Sequence, residues 1–264
     1  MLSMNLKNKI LFIAGPCVIE DKVMTFEIAS YLKEVTLKYP VQFVFKASYD
    51  KANRTSIDSY RGPGLVKGLK ILEDVKKKFN VPVLSDVHCV HQVKAAKEVL
   101  DIIQIPAFLS RQTDLVVEVA KTKKIVNIKK AQFMAPQDIE HVIKKIEASG
   151  NKNIWLTERG VSFGYSNLVV DFRSMLIMQK TGYPVIYDVT HSLQKPSAVN
   201  GISGGDREFA EPLASAAIAA GVDGLFMEVH PQPLKALSDK HTSFELNKIE
   251  ALLQKMIKIK EAAQ

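Results

Sequence analysis

Lys46, Lys51, Arg54 and Arg61 all fall in the stretch "KASYDKANRTSIDSYRG", residues 46–62, with Ser48, Asn53, Thr55 and Ser56 among them. A guanidinium grips a phosphate through two parallel hydrogen bonds, an ammonium acts on it as a point charge, and hydroxyls add further donors. A solvated basic loop has the same composition, so position must decide between the two. Two further cations, Lys129 in "NIKKAQF" and Arg159 in "TERG", lie far along the chain. A lysine so placed could form an imine with a carbonyl substrate. Cations this numerous fit two anionic groups better than one imine. Lys130, next to Lys129, should point to the other face of its strand and be structural.

The second chemistry is metal binding. Cys17, His191, Glu228 and Asp239 offer one thiolate, one imidazole and two carboxylates, a set suited to Zn²⁺, Fe²⁺ or another borderline first-row ion. Cys17 also has a plainer reading as a small buried hydrophobe. "HCVH" at 88–91 resembles a metal motif but has no further ligands nearby, so Cys89 and His91 are assigned to helix packing or solvent.

Both constellations need elements that bring distant residues together. Eight apolar, β-rich runs occur at 10–15, 41–48, 82–88, 102–107, 125–130, 154–160, 184–191 and 224–230. Each reads as a strand buried on both faces. Helical patterns follow them at 24–38, 66–79, 92–99, 113–121, 137–148, 208–220 and 244–262, with a weaker one at 171–179. Eight strand–helix units in 264 residues predict one (β/α)₈ barrel domain over residues 1–264. A doubly wound sheet is the runner-up, but no glycine-rich dinucleotide fingerprint follows the first strand. In a barrel the strands' C-terminal ends meet on one face, and the last two strands neighbour the first. Those ends supply the expected catalytic set: Lys46, Lys51, Asp86, Lys129, Arg159 and His191. Ser48, His88, Gln104, Glu158, Asp188 and His230 also lie there, more polar groups than a scaffold would need.

The net charge of +8 is spread along helical lysine runs, with no arginine-rich tract and no basic clusters interleaved with aromatics, so nucleic acid is not expected as a partner. The apolar run before Gly15 is too short for a signal or a membrane span, and two cysteines make no disulfide framework; a cytoplasmic protein is expected.

The blocks "IAGPC", "FKASYDKANR", "IIQIPAFLSRQTDL", "NIKKAQF", "LTERG", "NLVVDFRS", "YDVTHS", "SGGDREF" and "LFMEVHP" resemble, in order and over about residues 10–240, the 3-deoxy-D-manno-octulosonate 8-phosphate synthase family. The resemblance implies a (β/α)₈ barrel, usually a homotetramer. The implied reaction joins phosphoenolpyruvate, D-arabinose 5-phosphate and water for lipopolysaccharide synthesis, with no organic cofactor. It places Lys129 and Arg159 on the phosphoenolpyruvate phosphate, and Lys46, Ser48, Lys51 and Gln104 around its carboxylate and reacting carbons. Asn53, Arg54 and Thr55 fall on the aldose phosphate, Thr55 standing where many members have serine, and Arg111 reaches a neighbouring subunit's site. Cys17, where the metal-independent branch carries asparagine, implies the metal-dependent branch, with Zn, Fe or Mn held by Cys17, His191, Glu228 and Asp239. The loop "QKPSAVNGISGG", 194–205, departs from the family's glycine-richer sequence. The nearest rival is the sister enzyme that uses erythrose 4-phosphate, whose loop usually carries Lys-Pro-Arg-Thr where this chain has "KANRT". A sialic-acid-type synthase, taking an unphosphorylated sugar, would have less use for Arg54.

Overall fold

The computed structural model describes residues 6, 9–199 and 202–263. Eight parallel strands form the barrel: β1 (Ile10–Gly15), β2 (Val41–Lys46), β3 (Val83–Asp86), β4 (Ile102–Ile105), β5 (Ile125–Lys129), β6 (Ile154–Glu158), β7 (Val185–Asp188) and β8 (Gly224–His230). Each pairs with the next, and β1 closes on β8 with Leu11 opposite Gly224 and Gly15 opposite Glu228. Helices α1 (Lys22–Leu37), α2 (Leu65–Phe79), α3 (Val90–Val99), α4 (Thr113–Lys121), α5 (Ile139–Ala148), α6 (Phe172–Gln179), α7 (Ala210–Ala219) and α8 (Ile249–Ala262) follow the strands in turn. The expected single barrel is therefore the observed fold, with shorter strands than the apolar runs suggested. Local signals set the helix starts: Asp21 caps α1 by accepting from the Met24 amide at 2.8 Å, and the Asp171 carboxylate does the same for Arg173 at the start of α6.

Two apolar clusters divide the core. The larger lies between sheet and helices and takes the outward residues, such as Phe12, Phe45, Ile103 and Tyr187. The smaller fills the barrel with Leu11, Ile13, Val44, Leu84, Ile102, Trp155, Ile186 and Phe226, and Leu6 packs against them. Strand side chains alternate faces, so the next inward position on each strand is fixed by period two. Two residues beyond Val44, Leu84, Ile102, Ile186 and Phe226 come Lys46, Asp86, Gln104, Asp188 and Glu228; Asn127 leads to Lys129, and Trp155 through Thr157 to Arg159. The chain thus changes from apolar floor to polar rim at one level.

Gly15 ends β1 close against the backbone of β2. A Cβ built there would lie 1.9 Å from the Lys46 carbonyl oxygen, so only glycine lets the end of β1 lie against β2. Lys130 is buried outside the barrel, 3.5 Å from Glu158, and donates to the Met134 carbonyl at 3.2 Å. Its structural assignment agrees with that placement. Glu158 also points outward and accepts from the Gly160 amide and the Ser174 hydroxyl. The 194–205 loop is an antiparallel hairpin, Gln194–Val199 against Ile202–Gly205, whose tip residues 200–201 lie outside the described residues.

Candidate active site

The rim encloses a cavity of about 630 Å³, lined by residues from every quarter of the barrel. Of the expected residues, Lys46, Lys51, Asn53, Arg54, Thr55, Asp86, Gln104, Lys129, Arg159, His191 and Asp239 line it. Ser48 does not. Its hydroxyl is buried and donates to Asp86 at 2.5 Å, so it holds the carboxylate from behind. Arg111 is exposed, outside the cavity of its own chain. Cys89 and His91 are exposed at the start of α3, as assigned.

At the β1–β8 seam, the sulfur of Cys17 and one oxygen each of Glu228 and Asp239 lie within 4.8 Å of one another. His191 Nε2 is 3.6 Å from Glu228 Oε1 and 3.9 Å from Asp239 Oδ2. Cys17 Sγ donates to Ser238 Oγ at 2.8 Å and Asp239 Oδ2 at 3.0 Å. Burial, followed by the charges of Asp239 and Glu228, raises the thiol pKa well above its usual value, against the weaker pull of Lys51 and Lys46. Glu228 is ionised in spite of its burial, because Lys46, Lys51 and His191 surround it. Lys46 Nζ takes Glu228 Oε1 at 2.6 Å, yet Oε2 is buried with no hydrogen-bond partner. A buried carboxylate with one orphaned oxygen, grouped with a thiol and a second carboxylate, is a donor set a divalent cation would satisfy. Asp239 holds its place with a left-handed backbone, φ 48°, a conformation that Asp tolerates better than most residues.

The cations are arranged separately. Lys129 Nζ pairs with Asp188 and sits 3.2 Å from the centroid of the Phe226 ring. Burial pulls its pKa down to about 8, with Asp188 opposing the fall. Arg159 Nη2 donates to Gln194 Oε1 at 2.8 Å, while Nη1 is buried without a partner. Arg54 donates through Nε to the Tyr60 carbonyl at 3.0 Å, and its Nη2 is likewise buried and unpartnered. Two arginines on separate loops thus each present an unused donor nitrogen.

Two residues here, Asp188 and His88, were marked at the strand ends but given no role, and a third, Gln194, was not singled out. Asp188, fully buried, accepts from the Thr190 and His191 amides, from Lys129, and from His191 Nδ1 at 2.8 Å. That last bond leaves His191 Nε2 to face the seam. Gln194 joins Arg159 to Asp239, donating to Asp239 Oδ1 at 2.7 Å. His88 lines the cavity beside Asp86, 2.8 Å away. Inward strand parity marks Asp188 and His88; Gln194 follows its strand and carries no periodic signal.

Residues 5–264 match the sequence model of the DAHP synthetase I family. The chain is 57% identical over 247 residues to a 2-dehydro-3-deoxyphosphooctonate aldolase of Geobacter sulfurreducens, covering 94% of this chain and 91% of that one. It is 53% identical over 262 residues to the protein of that name from Desulfatibacillum aliphaticivorans, covering 99% and 96%. With the one from Desulfosudis oleivorans it shares 56% over 255 residues, covering 96% and 91%.

Proposed function

The chain belongs to the DAHP synthetase I family, and we propose that it condenses phosphoenolpyruvate with D-arabinose 5-phosphate and water, giving 3-deoxy-D-manno-octulosonate 8-phosphate and inorganic phosphate. The observation that carries this reading is that Arg159 and Arg54, each with a buried guanidinium nitrogen that has no partner, both line one cavity. Two phosphorylated reactants need two anion sites. Lys129 and Arg159 hold the phosphate of phosphoenolpyruvate, and Lys46 and Lys51 face its carboxylate. Asn53, Arg54 and Thr55 take the phosphate of the sugar. Held so, C3 of phosphoenolpyruvate attacks the aldehyde carbon and water adds at C2. The C–O bond to phosphate then breaks, and the fixed cations stabilise the charge that develops. The relatives' names favour this activity over the family's erythrose 4-phosphate reaction.

A divalent cation at Cys17, His191, Glu228 and Asp239 fits the donor set and supplies positive charge and orientation to the reacting oxygens when bound. The reading extends to a homotetramer, in which exposed Arg111 serves a neighbouring site, and to a cytoplasmic location, where the unpaired cysteines stay reduced. No helix among the described residues is long and apolar enough to cross a membrane. The test is phosphate release from phosphoenolpyruvate with each aldose phosphate. Arabinose 5-phosphate should support release and erythrose 4-phosphate far less; equal or reversed rates move the chain to the sister activity.

A further inference from the structure

His88 carries an unusual arrangement of acceptors. Its Nε2 lies 2.8 Å from Asp86 Oδ2, and its Nδ1 lies 3.2 Å from Gln92 Oε1. The orientation of the Gln92 amide is fixed independently. The same oxygen accepts the backbone N–H of His88 at 2.9 Å, and that group can only donate. The oxygen of Gln92 therefore faces the ring, and Nδ1 must bring a hydrogen to it. At the other nitrogen, Asp86 is a carboxylate. Ser48 donates to its Oδ1, and its pKa lies well below the usual range in spite of burial, through His88 first and then through Lys51 and Lys46, two cations that favour the carboxylate whatever the state of His88. A bare Nε2 would set a lone pair against that anion, so Nε2 also carries a hydrogen.

Both ring nitrogens face acceptors, and a neutral imidazole has only one N–H. We propose that Gln92 is a positioning residue that fixes His88 as an imidazolium, making Asp86 and His88 a permanent anion–cation couple in the cavity wall. His88 then adds a positive edge for an anionic substrate group, and Asp86, with both oxygens occupied by donors, is not the acceptor of a substrate proton. The Tyr49 ring stands nearly perpendicular to His88, at 82° with 6.0 Å between centroids, and its hydroxyl donates to the same Gln92 oxygen at 2.8 Å. That hydroxyl competes with His88 for Oε1 and so works against the couple.

The groups facing the ring are Asp86 from β3, Gln92 from α3, and Tyr49 and Asp50 from the loop after β2, with Asp50 itself paired to Arg61 at 2.6 Å. Burial lowers the His88 pKa, but the hydrogen bond and charge of Asp86, with Asp50 and Gln92, outweigh it and leave it raised. The charge is a property of the substrate-free protein; only the identity of the anion it meets rests on the proposed reaction.

The experiment is NMR titration of protein with ¹³C-labelled histidine, the six histidines being assigned with His88→Gln. In the wild type, His88 should be protonated at pH 7, with a midpoint above the free imidazole value of about 6.5. Gln92→Leu should move the midpoint down, Gln92→Glu should move it up, and Tyr49→Phe should leave it unchanged or higher. The same Gln92→Leu protein should bind phosphoenolpyruvate at pH 8 roughly tenfold more weakly, the loss of one charge-assisted hydrogen bond. A neutral His88 at pH 7, or a midpoint indifferent to Gln92→Leu, overturns the inference. So does Tyr49→Phe lowering the midpoint as far as Gln92→Leu, since packing alone would then explain both. The titration needs no turnover, so it can fail while the phosphate-release assay succeeds, and the reverse.

Discussion

Cys17 and Lys129 are the residues whose state depends most on what occupies the site. The thiol of Cys17 is held protonated by burial beside two carboxylates; with a divalent cation held there, Cys17 would lose that proton and serve as a thiolate ligand. Chelation should therefore abolish phosphate release until Zn²⁺, Mn²⁺ or a similar ion is restored. Cys17→Ala should lose both metal content and turnover. Cys17→Asn should retain more activity than Ala, in a form that resists chelator, because its amide can donate to a substrate oxygen. Metal analysis with chelator-treated kinetics on the three proteins checks this; a metal-free wild type with full activity would return Cys17 to packing. For Lys129 the sign runs from its lowered pKa. The cationic form, the one that would hold a phosphate, is complete well below pH 8 and is lost as pH rises through about 8. Affinity for phosphoenolpyruvate should weaken above that pH. Lys129→Arg, whose charge persists, should lose less affinity over the same range in a binding titration.

At the scale of the strand, the end of β1 governs the site through Gly15. An alanine Cβ there would overlap the Lys46 carbonyl, which is backbone and can move only with its strand. Gly15→Ala should cost about 3 kcal/mol in chemical denaturation. It should also lower kcat/KM more than tenfold, because Lys46 Nζ bonds both the Cys17 carbonyl, at 3.0 Å, and Glu228. The elements themselves were readable: continuous apolar runs marked all eight barrel strands, and 3.6-residue periodicity the helices. The ends were less so. The runs at 41–48 and 82–88 continue past the strand ends at Lys46 and Asp86, where Ser48 bridges to Val18 and donates its hydroxyl to Asp86, and His88 takes side-chain partners. The 194–205 hairpin was invisible because its residues show no strict alternation. His88 was marked at its strand's end but given no role, because that role depends on Gln92, a helical residue whose orientation no spacing rule reports.

In the whole molecule, the apolar floor inside the barrel bears stability and the polar rim bears the chemistry. Trp155, the chain's single tryptophan, is fully buried in that floor, and its indole nitrogen has no partner. Trp155→Ala should cost about 3–5 kcal/mol, read by circular dichroism because the fluorophore is lost. Trp155→Phe should cost less, since it keeps most of the ring and removes an unsatisfied donor. In both, the molecules that remain folded should turn over near the wild-type rate. The alternation that separates the helix-facing side of each strand from the inward side also interleaves their constraints along the sequence. In a library of single substitutions sorted once for abundance and once for turnover, neighbours would part company: Ile128 and Lys130 would answer to the first screen and Lys129 to the second. A profile smoothed over adjacent positions would blur the two selections into one, and only a map drawn by the face each side chain presents would resolve them.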